Sequence, residues 1–294
     1  MEVNVFKRIV LFINTYNGLS RDCLFEMIKI HPNIPPHTLA SILCTKYQKK
    51  MMTNHGRVKQ NKQDVIKRYR EGIEAGEEPG LIIRLARFYD VAPALIAKVV
   101  LEETFEKRIS KKGEKDNLNA TSKNMIKDMF KDTTQIQDPD LAYEVFLSIV
   151  FDNMYGPISD VTKHCLGSEY EAKLEREVAR LGLSFRTEEQ LRARGFDKTP
   201  DVKLETPCAV DGFIISWVES KAVFGDKMTH DQYAKDQYLS YWNRFGPGLV
   251  IYWFGYLETV IDPKEKRFIV RDKFPENLTL MNPSLIQVPT LKIS

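Results

Sequence analysis

Asp197-Lys198-Thr199-Pro200-Asp201 opens the stretch that decides the fold, and Val218-Glu219-Ser220-Lys221 closes it. Pro200 fixes its own φ and biases Thr199 toward extended backbone, so Asp201 to Glu205 reads as the start of a strand. Pro207 to Val210 and Ile214 to Glu219 read as two paired strands turning at Asp211-Gly212. Glu219 and Lys221 are two positions apart and share one face of their strand. The pattern therefore gathers the carboxylates of Asp201 and Glu219 and the ammonium of Lys221 at the ends of neighbouring strands. Two carboxylates completed by water and phosphate oxygens are a donor set for Mg2+. A metal-activated water beside an ammonium suits phosphodiester chemistry. Charged pairs on strands are also ordinary surface decoration, and this pattern alone does not separate the two readings.

The elements on either side add weight. Downstream, Asp231 to Phe245 reads as a helix that carries Gln237 and Tyr241 four apart on one face. Gly246-Pro247-Gly248 turns the chain into Leu249 to Tyr256, an apolar run suited to a central buried strand. A last strand is expected at Arg267 to Val270, with an irregular tail after Pro275. Upstream, Gly167-Ser168 opens a helix with Tyr170, Leu174, Val178 and Leu181 as its apolar stripe, and Gly182 stops it. Glu171 lies at the edge of that stripe. Thr187 can cap a short helix from Glu188 to Arg194. Lys198 and Lys227 flank the carboxylates as phosphate contacts or as plain surface. His230 reads as a capping or exposed residue, and Trp217 and Trp253 as core.

The first half is helical in pattern. Val5 to Ile13 is apolar at helical spacing, Ser20 can cap a helix to Ile30, and Thr38 can cap another through Tyr47. Two short helices with a proline-rich break resemble a helix-turn-helix unit, and a plain bundle fits the same pattern. From Lys49 to Arg70 eight Lys/Arg, Lys59 and Lys62 among them, stand against Asp64 alone. Such a run tracks phosphates or is the wet face of a helix. A second helical pair follows Pro79-Gly80, with Asp90 and Pro93 at its turn. Lys107 to Asn119 reads as a linker, residues 121–130 as a short helix, and Asp138-Pro139-Asp140 as the start of another with Leu141, Val145, Phe146 and Ile149 inward.

The chain has 294 residues, 43% of them hydrophobic, enough for one large domain or two ordinary ones. Its net charge of +3 hides an asymmetry: residues 1–130 carry 23 Lys/Arg against 15 Asp/Glu, and residues 131–294 carry 20 against 25. The positive half can meet a phosphate backbone while the acidic half holds cations. Four widely spaced cysteines form no zinc knuckle and fit a reducing compartment. No signal peptide or membrane span is expected. The expected organisation is a helical module over residues 1–106, a linker with connecting helices over 107–160, and an α/β domain over 161–294.

Lys198-Thr199-Pro200-Asp201, Glu219-Ser220-Lys221-Ala222 and the run from Tyr241 to Trp253 resemble the codanin-interacting nuclease family, within the PD-(D/E)XK nuclease superfamily. The resemblance covers most of the chain. It implies an α/β, restriction-endonuclease-like C-terminal domain behind an all-helical, helix-turn-helix-like N-terminal region. It also implies Mg2+-dependent hydrolysis of DNA phosphodiester bonds, structured or branched DNA included, with Mn2+ as an alternative metal. Asp201 and Glu219 fall on its metal-binding acids, Lys221 on its catalytic lysine, and Glu171 on the acid of the first core helix, with Glu169 as rival. Gln237 and Tyr241 match its supporting pair. Lys198, Lys227, Tyr241, Lys59 and Lys62 are the expected nucleic-acid contacts. A codanin-like protein partner, a nuclear and cytoplasmic location, and either a monomer or a homodimer are implied. The rival reading is a scaffold for that partner with little or no turnover.

Overall fold

The structure is a computed structural model that describes residues 1–112 and 118–282. The chain divides into two compact units, one of Lys7–His164 and one of Met1–Phe6 with Cys165–Ser294. Helices dominate the first half: α1 Val3–Thr15, α2 Ser20–Ile30, α3 Pro36–Gln60, α4 Lys62–Glu74, α5 Leu81–Phe88, α6 Pro93–Lys112, α7 Leu118–Lys131 and α8 Pro139–Val150. The helix α9, Pro157–Arg180, leads into the sheet-bearing half.

The helical unit packs around Ile82, Val91, Leu95, Ile96, Leu141 and Val145, all buried. Two of its expected caps are corrected. Ser20 is the first residue of α2, buried and preceded by Leu19 as N-cap; α3 starts after Pro35, with Pro36 in its first turn. Proline presets a helical φ and has no N–H to lose there, so it starts the helix ahead of Thr38. Helix α3 then continues past Tyr47 to Gln60 and absorbs the start of the basic run. Asp138 caps α8 as its sequence suggests, accepting from the N–H groups of Asp140 and Leu141. Phe146 is corrected from inward to outward: it is exposed and stacks on Tyr143. Helix α6 runs on to Lys112, through the first part of the expected linker, and residues 113–117 lie outside the described residues.

A cap that no local pattern announces joins α8 to α5. The buried Glu144 carboxylate accepts from the N–H groups of Gly80, Leu81 and Ile82 at 2.6, 3.1 and 2.9 Å. A carboxylate there satisfies orphan donors and meets the positive end of the helix dipole. Gly80, at φ 96°, lets the chain turn into α5.

The second unit is a six-stranded mixed sheet in a restriction-endonuclease-like arrangement. Its strands are β1 Phe185–Thr187, β2 Val202–Val210, β3 Phe213–Lys221, β4 Gly248–Tyr252, β5 Phe268–Arg271 and β6 Leu278–Leu280. The order is β1-β2-β3-β4-β5, with β6 also paired to β2. The β1–β2, β2–β3 and β2–β6 pairings are antiparallel, and β3–β4 and β4–β5 are parallel. Asp211 and Gly212, at φ 49° and 81°, make the two-residue turn between β2 and β3. The β2–β3 register shifts between Lys203 and Cys208. Pro207 lies in that gap, and a residue without an N–H cannot serve a ladder on both sides. Strand β6 is a correction to the irregular tail expected after Pro275.

Helices cover both faces of the sheet. Leu174 and Val178 of α9 pack with Val218, Leu249 and Ile251. The expected start of α9 at Gly167 is corrected to Pro157, ten residues earlier. On the other face lie α11 Lys227–Tyr233, a π turn Ala234–Tyr238 and α12 Leu239–Phe245, where Tyr238 and Tyr241 pack on Trp217. Asp226 caps α11 through the Thr229 N–H, so this helix starts four residues before the expected Asp231. Thr187 and Gln190 form a reciprocal capping box on α10, Glu188–Arg192. Among the described residues no helix is long and apolar enough to cross a membrane, and all four cysteines are free.

Candidate active site

The parallel pairing of β3 with β4 sets Glu219 opposite Val250 and Lys221 opposite Tyr252. Odd-numbered residues of β3 face α11 and α12, so Trp217, Glu219 and Lys221 form one row under that layer. Asp201 stands at the mouth of β2, where its Oδ2 accepts from the Ser220 N–H at 2.7 Å. The two carboxylates are thus fixed by the β2–β3 ladder, one from each strand.

Glu219 is 3% exposed. Its Oε1 accepts from the Lys221 ammonium at 2.6 Å, and its Oε2 is buried with no hydrogen-bond partner. Lys221 also donates to Gln237 Oε1 at 3.0 Å. Gln237 reaches it from the π turn, which widens the helix by one residue at that point.

The electrostatics follow from this crowding. Burial and the charge of Glu219 push the Asp201 carboxyl well above the usual carboxylate range. Burial likewise raises Glu219, against the pull of Lys221. For Lys221, burial alone would lower the ammonium, but the charge of Glu219 and its hydrogen bond raise it. Burial and like charge both favour the protonated form of such a pair, against the pull of Lys221.

The expected residues fall into three groups. Asp201, Glu219, Lys221 and Gln237 are brought together. Glu171 is exposed on α9, and its charge raises the Asp201 carboxyl further. Glu169 is exposed as well. Among the described residues no group of three or more His, Cys, Asp or Glu is arranged to hold a metal ion. Glu171 is thus not gathered with Asp201 and Glu219 into such a group.

The expected nucleic-acid contacts are dispersed. Tyr241 is corrected: it is 3% exposed and edge-on to Trp217, so its ring has no open face for a base. Lys198 donates to the Asp236 carbonyl at 2.6 Å and so braces the π turn. Lys227 pairs with Asp231 one turn along α11. Lys59 is exposed on α3, and Lys62 lies 3.8 Å from Glu103. His230 is corrected from capping or exposed to buried: its Nδ1 lies 3.0 Å from the Tyr252 hydroxyl.

Two neighbours escaped the sequence reading. Glu188 starts α10; its N–H donates to the Asp201 carbonyl and its carboxylate accepts from Arg192. Tyr233 places its ring centroid 4.7 Å from the Lys221 ammonium. It precedes Gln237 by four residues, the helical spacing that already paired Gln237 with Tyr241, so the signal was present one turn upstream.

The donor set suits Mg2+, which takes one or two carboxylates with substrate phosphate and water rather than an all-protein cage. Glu219 Oε2 is buried without a hydrogen-bond partner, and burial raises both carboxyls of the pair, so negative charge there calls for a counter-cation.

A family model described as "Protein of unknown function TPD sequence-motif" matches residues 137–274, a range that contains Thr199-Pro200-Asp201. CDAN1-interacting nuclease 1 of Xenopus tropicalis is 39% identical over 286 residues, covering 96% of this chain and 91% of that one. The Homo sapiens protein of the same name is 38% identical over 264 residues, covering 89% and 91%. That of Danio rerio is 38% identical over 264 residues, covering 88% and 85%. No solved structure matches the chain significantly. With that identity sustained along nearly the whole of each relative, the chain belongs to the CDAN1-interacting nuclease family.

Proposed function

We propose that this chain is a metal-dependent nuclease of the PD-(D/E)XK type that hydrolyses DNA phosphodiester bonds. The observation that carries the reading is the buried Glu219 carboxylate, tied to Lys221 through Oε1 and unpartnered at Oε2, beside Asp201. Asp201 and Glu219 would hold Mg2+ or Mn2+. When bound, the metal would acidify a water and polarise a phosphoryl oxygen.

The chain's own residues then have separate tasks. Glu219 and Gln237 take two of the three N–H donors of Lys221 and fix its direction. The third is left for a phosphoryl oxygen or the attacking water. An ammonium held charged by Glu219 acts there as a donor and counter-charge. Glu171, on the exposed face of α9, would reach the site through water rather than directly.

The test is cleavage of duplex, single-stranded, flap and junction DNA, and of RNA, with Mg2+ or Mn2+, by the parent chain and by Asp201→Asn and Lys221→Met. Each variant is expected to lose about a hundredfold or more of the rate, the order seen when a group acting on transition-state charge is removed. Activity persisting in both would sink the assignment.

A second reading takes its support from the relatives' name: the chain also binds a codanin-like protein. Retained partner binding by Lys221→Met would make the scaffold role separable from cleavage.

A further inference from the structure

Beyond Glu219 and Gln237, a third group bears on the Lys221 ammonium. The Tyr233 ring centroid is 4.7 Å from Nζ, within the range of a cation–π contact. The Lys221 side chain is only 15% exposed, and that of Glu219 3%, so this contact forms where water screens little.

Helix geometry explains how two such different groups converge. Tyr233 ends α11, and Gln237 lies in the π turn that follows. Four residues apart, they project to the same side. The layer is anchored elsewhere: Asp226 caps its start, Lys198 binds the Asp236 carbonyl, and Tyr238 is buried against Trp217, His230 and Tyr252. These anchors hold the backbone that carries Tyr233, whose half-buried ring also lies against the Tyr238 ring at 6.3 Å.

An ammonium on a four-carbon stem has many rotamers, and two hydrogen bonds in a plane do not fix it along the third direction. A ring face supplies that constraint without consuming an N–H donor. We propose that Tyr233 is a positioning residue for the nuclease reaction, its ring face seating the Lys221 ammonium against Glu219 and Gln237. This rests on the nuclease reading above, but the seat itself has a readout independent of cleavage. The ring does the seating, so its hydroxyl is dispensable.

The test compares the full-length parent chain with Tyr233→Phe and Tyr233→Leu. Selective 13C labelling of lysine side chains, with Lys221→Met to assign the resonance, follows the ε-methylene of Lys221. Protons over a ring face are shifted upfield. The shift is expected in the parent and in Tyr233→Phe, and is expected to vanish in Tyr233→Leu. In Mg2+-dependent DNA cleavage, Tyr233→Leu is expected to lower kcat about tenfold with KM unchanged, and Tyr233→Phe to bring kcat back to within about threefold. Thermal melting checks that all three fold.

A folded Tyr233→Leu chain with parental kcat, or an ε-methylene resonance at the same place in all three proteins, would overturn the proposal. A parent chain that shows the ring shift and cleaves nothing would fail the nuclease reading and the positioning role with it, leaving the seat as a structural contact.

Discussion

At the residue scale, Glu219 holds the site together and strains it. Its buried carboxylate binds Lys221 through Oε1, its Oε2 makes no hydrogen bond within ordinary geometry, and the Asp201 backbone N–H lies near enough to pull the carboxyl down. Both Asp201 and Glu219 are raised above their ordinary values. Raised acids favour folding while protonated, so that contribution is complete below the unfolded carboxyl pKa values, near 4, and is lost as pH rises through the raised values. In chelator, the parent chain is therefore expected to lose stability as pH climbs from about 4 toward 8. Asp201→Asn should flatten that slope and, at pH 8, stabilise the metal-free chain by about 1–3 kcal/mol, because a buried charge and its repulsion by Glu219 are gone. Urea melts of both proteins across pH, with and without Mg2+, measure this. Parallel curves for the two proteins would contradict the like-charge account, and Mg2+ should stabilise the parent far more than Asp201→Asn.

At the element scale, helix ends do much of the work. Glu144 on α8 takes three N–H groups at the start of α5, which fixes two helices distant in sequence. Glu144→Ala leaves those donors buried and opens a gap beside them. The expected cost is about 3 kcal/mol, read from chemical denaturation, with Glu144→Gln falling between it and the parent. A loss under 1 kcal/mol would mean that water replaces the carboxylate. The helix layer over the sheet shows the same logic at the site. Asp226 starts α11, and the π turn places Gln237 on Lys221 while Tyr238 stays in the core. A regular helix read from the sequence had room for Gln237 and Tyr241 on one face, but it did not show that one would reach the ammonium and the other be buried against Trp217.

At the scale of the whole molecule, charge is uneven: residues 1–130 are basic and residues 131–294 acidic. Much of the basic run is already paired within the helical unit, Lys50 with Asp90, Arg68 with Asp64, and Arg70 with Glu103. Lys59 is exposed, and Lys62 is half-exposed and 3.8 Å from Glu103. If these two contact phosphate, the logarithm of DNA affinity should fall linearly with the logarithm of salt concentration. The Lys59→Gln, Lys62→Gln double variant should then lower that slope by about 2. The measurement is fluorescence anisotropy of duplex binding by Lys221→Met, so that cleavage does not intervene. An unchanged slope would assign the basic run to helix surface alone.

The sequence by itself determined what short-range rules control. The two-residue period of a strand put Glu219 and Lys221 on one face. Asp211-Gly212 made the hairpin, Thr187 capped its helix, and the apolar run after Gly248 became the buried central strand. Element starts were less legible. Ser20, Thr38 and Gly167 look like boundaries, but Leu19, Pro35 and Gly156-Pro157 hold those places; for α3 and α9 the reason is that a proline's fixed φ starts a helix as well as it ends one. Only the tertiary structure decided the rest. It left Glu171 outside the close acidic pair, buried Tyr241 and His230, added β6, and brought Tyr233 against Lys221. Those outcomes depend on which helix covers which face of the sheet and how far a side chain must reach across the gap. Residue type and spacing encode the direction of a side chain from its own backbone; the distance to a group on another element is set only when the elements pack.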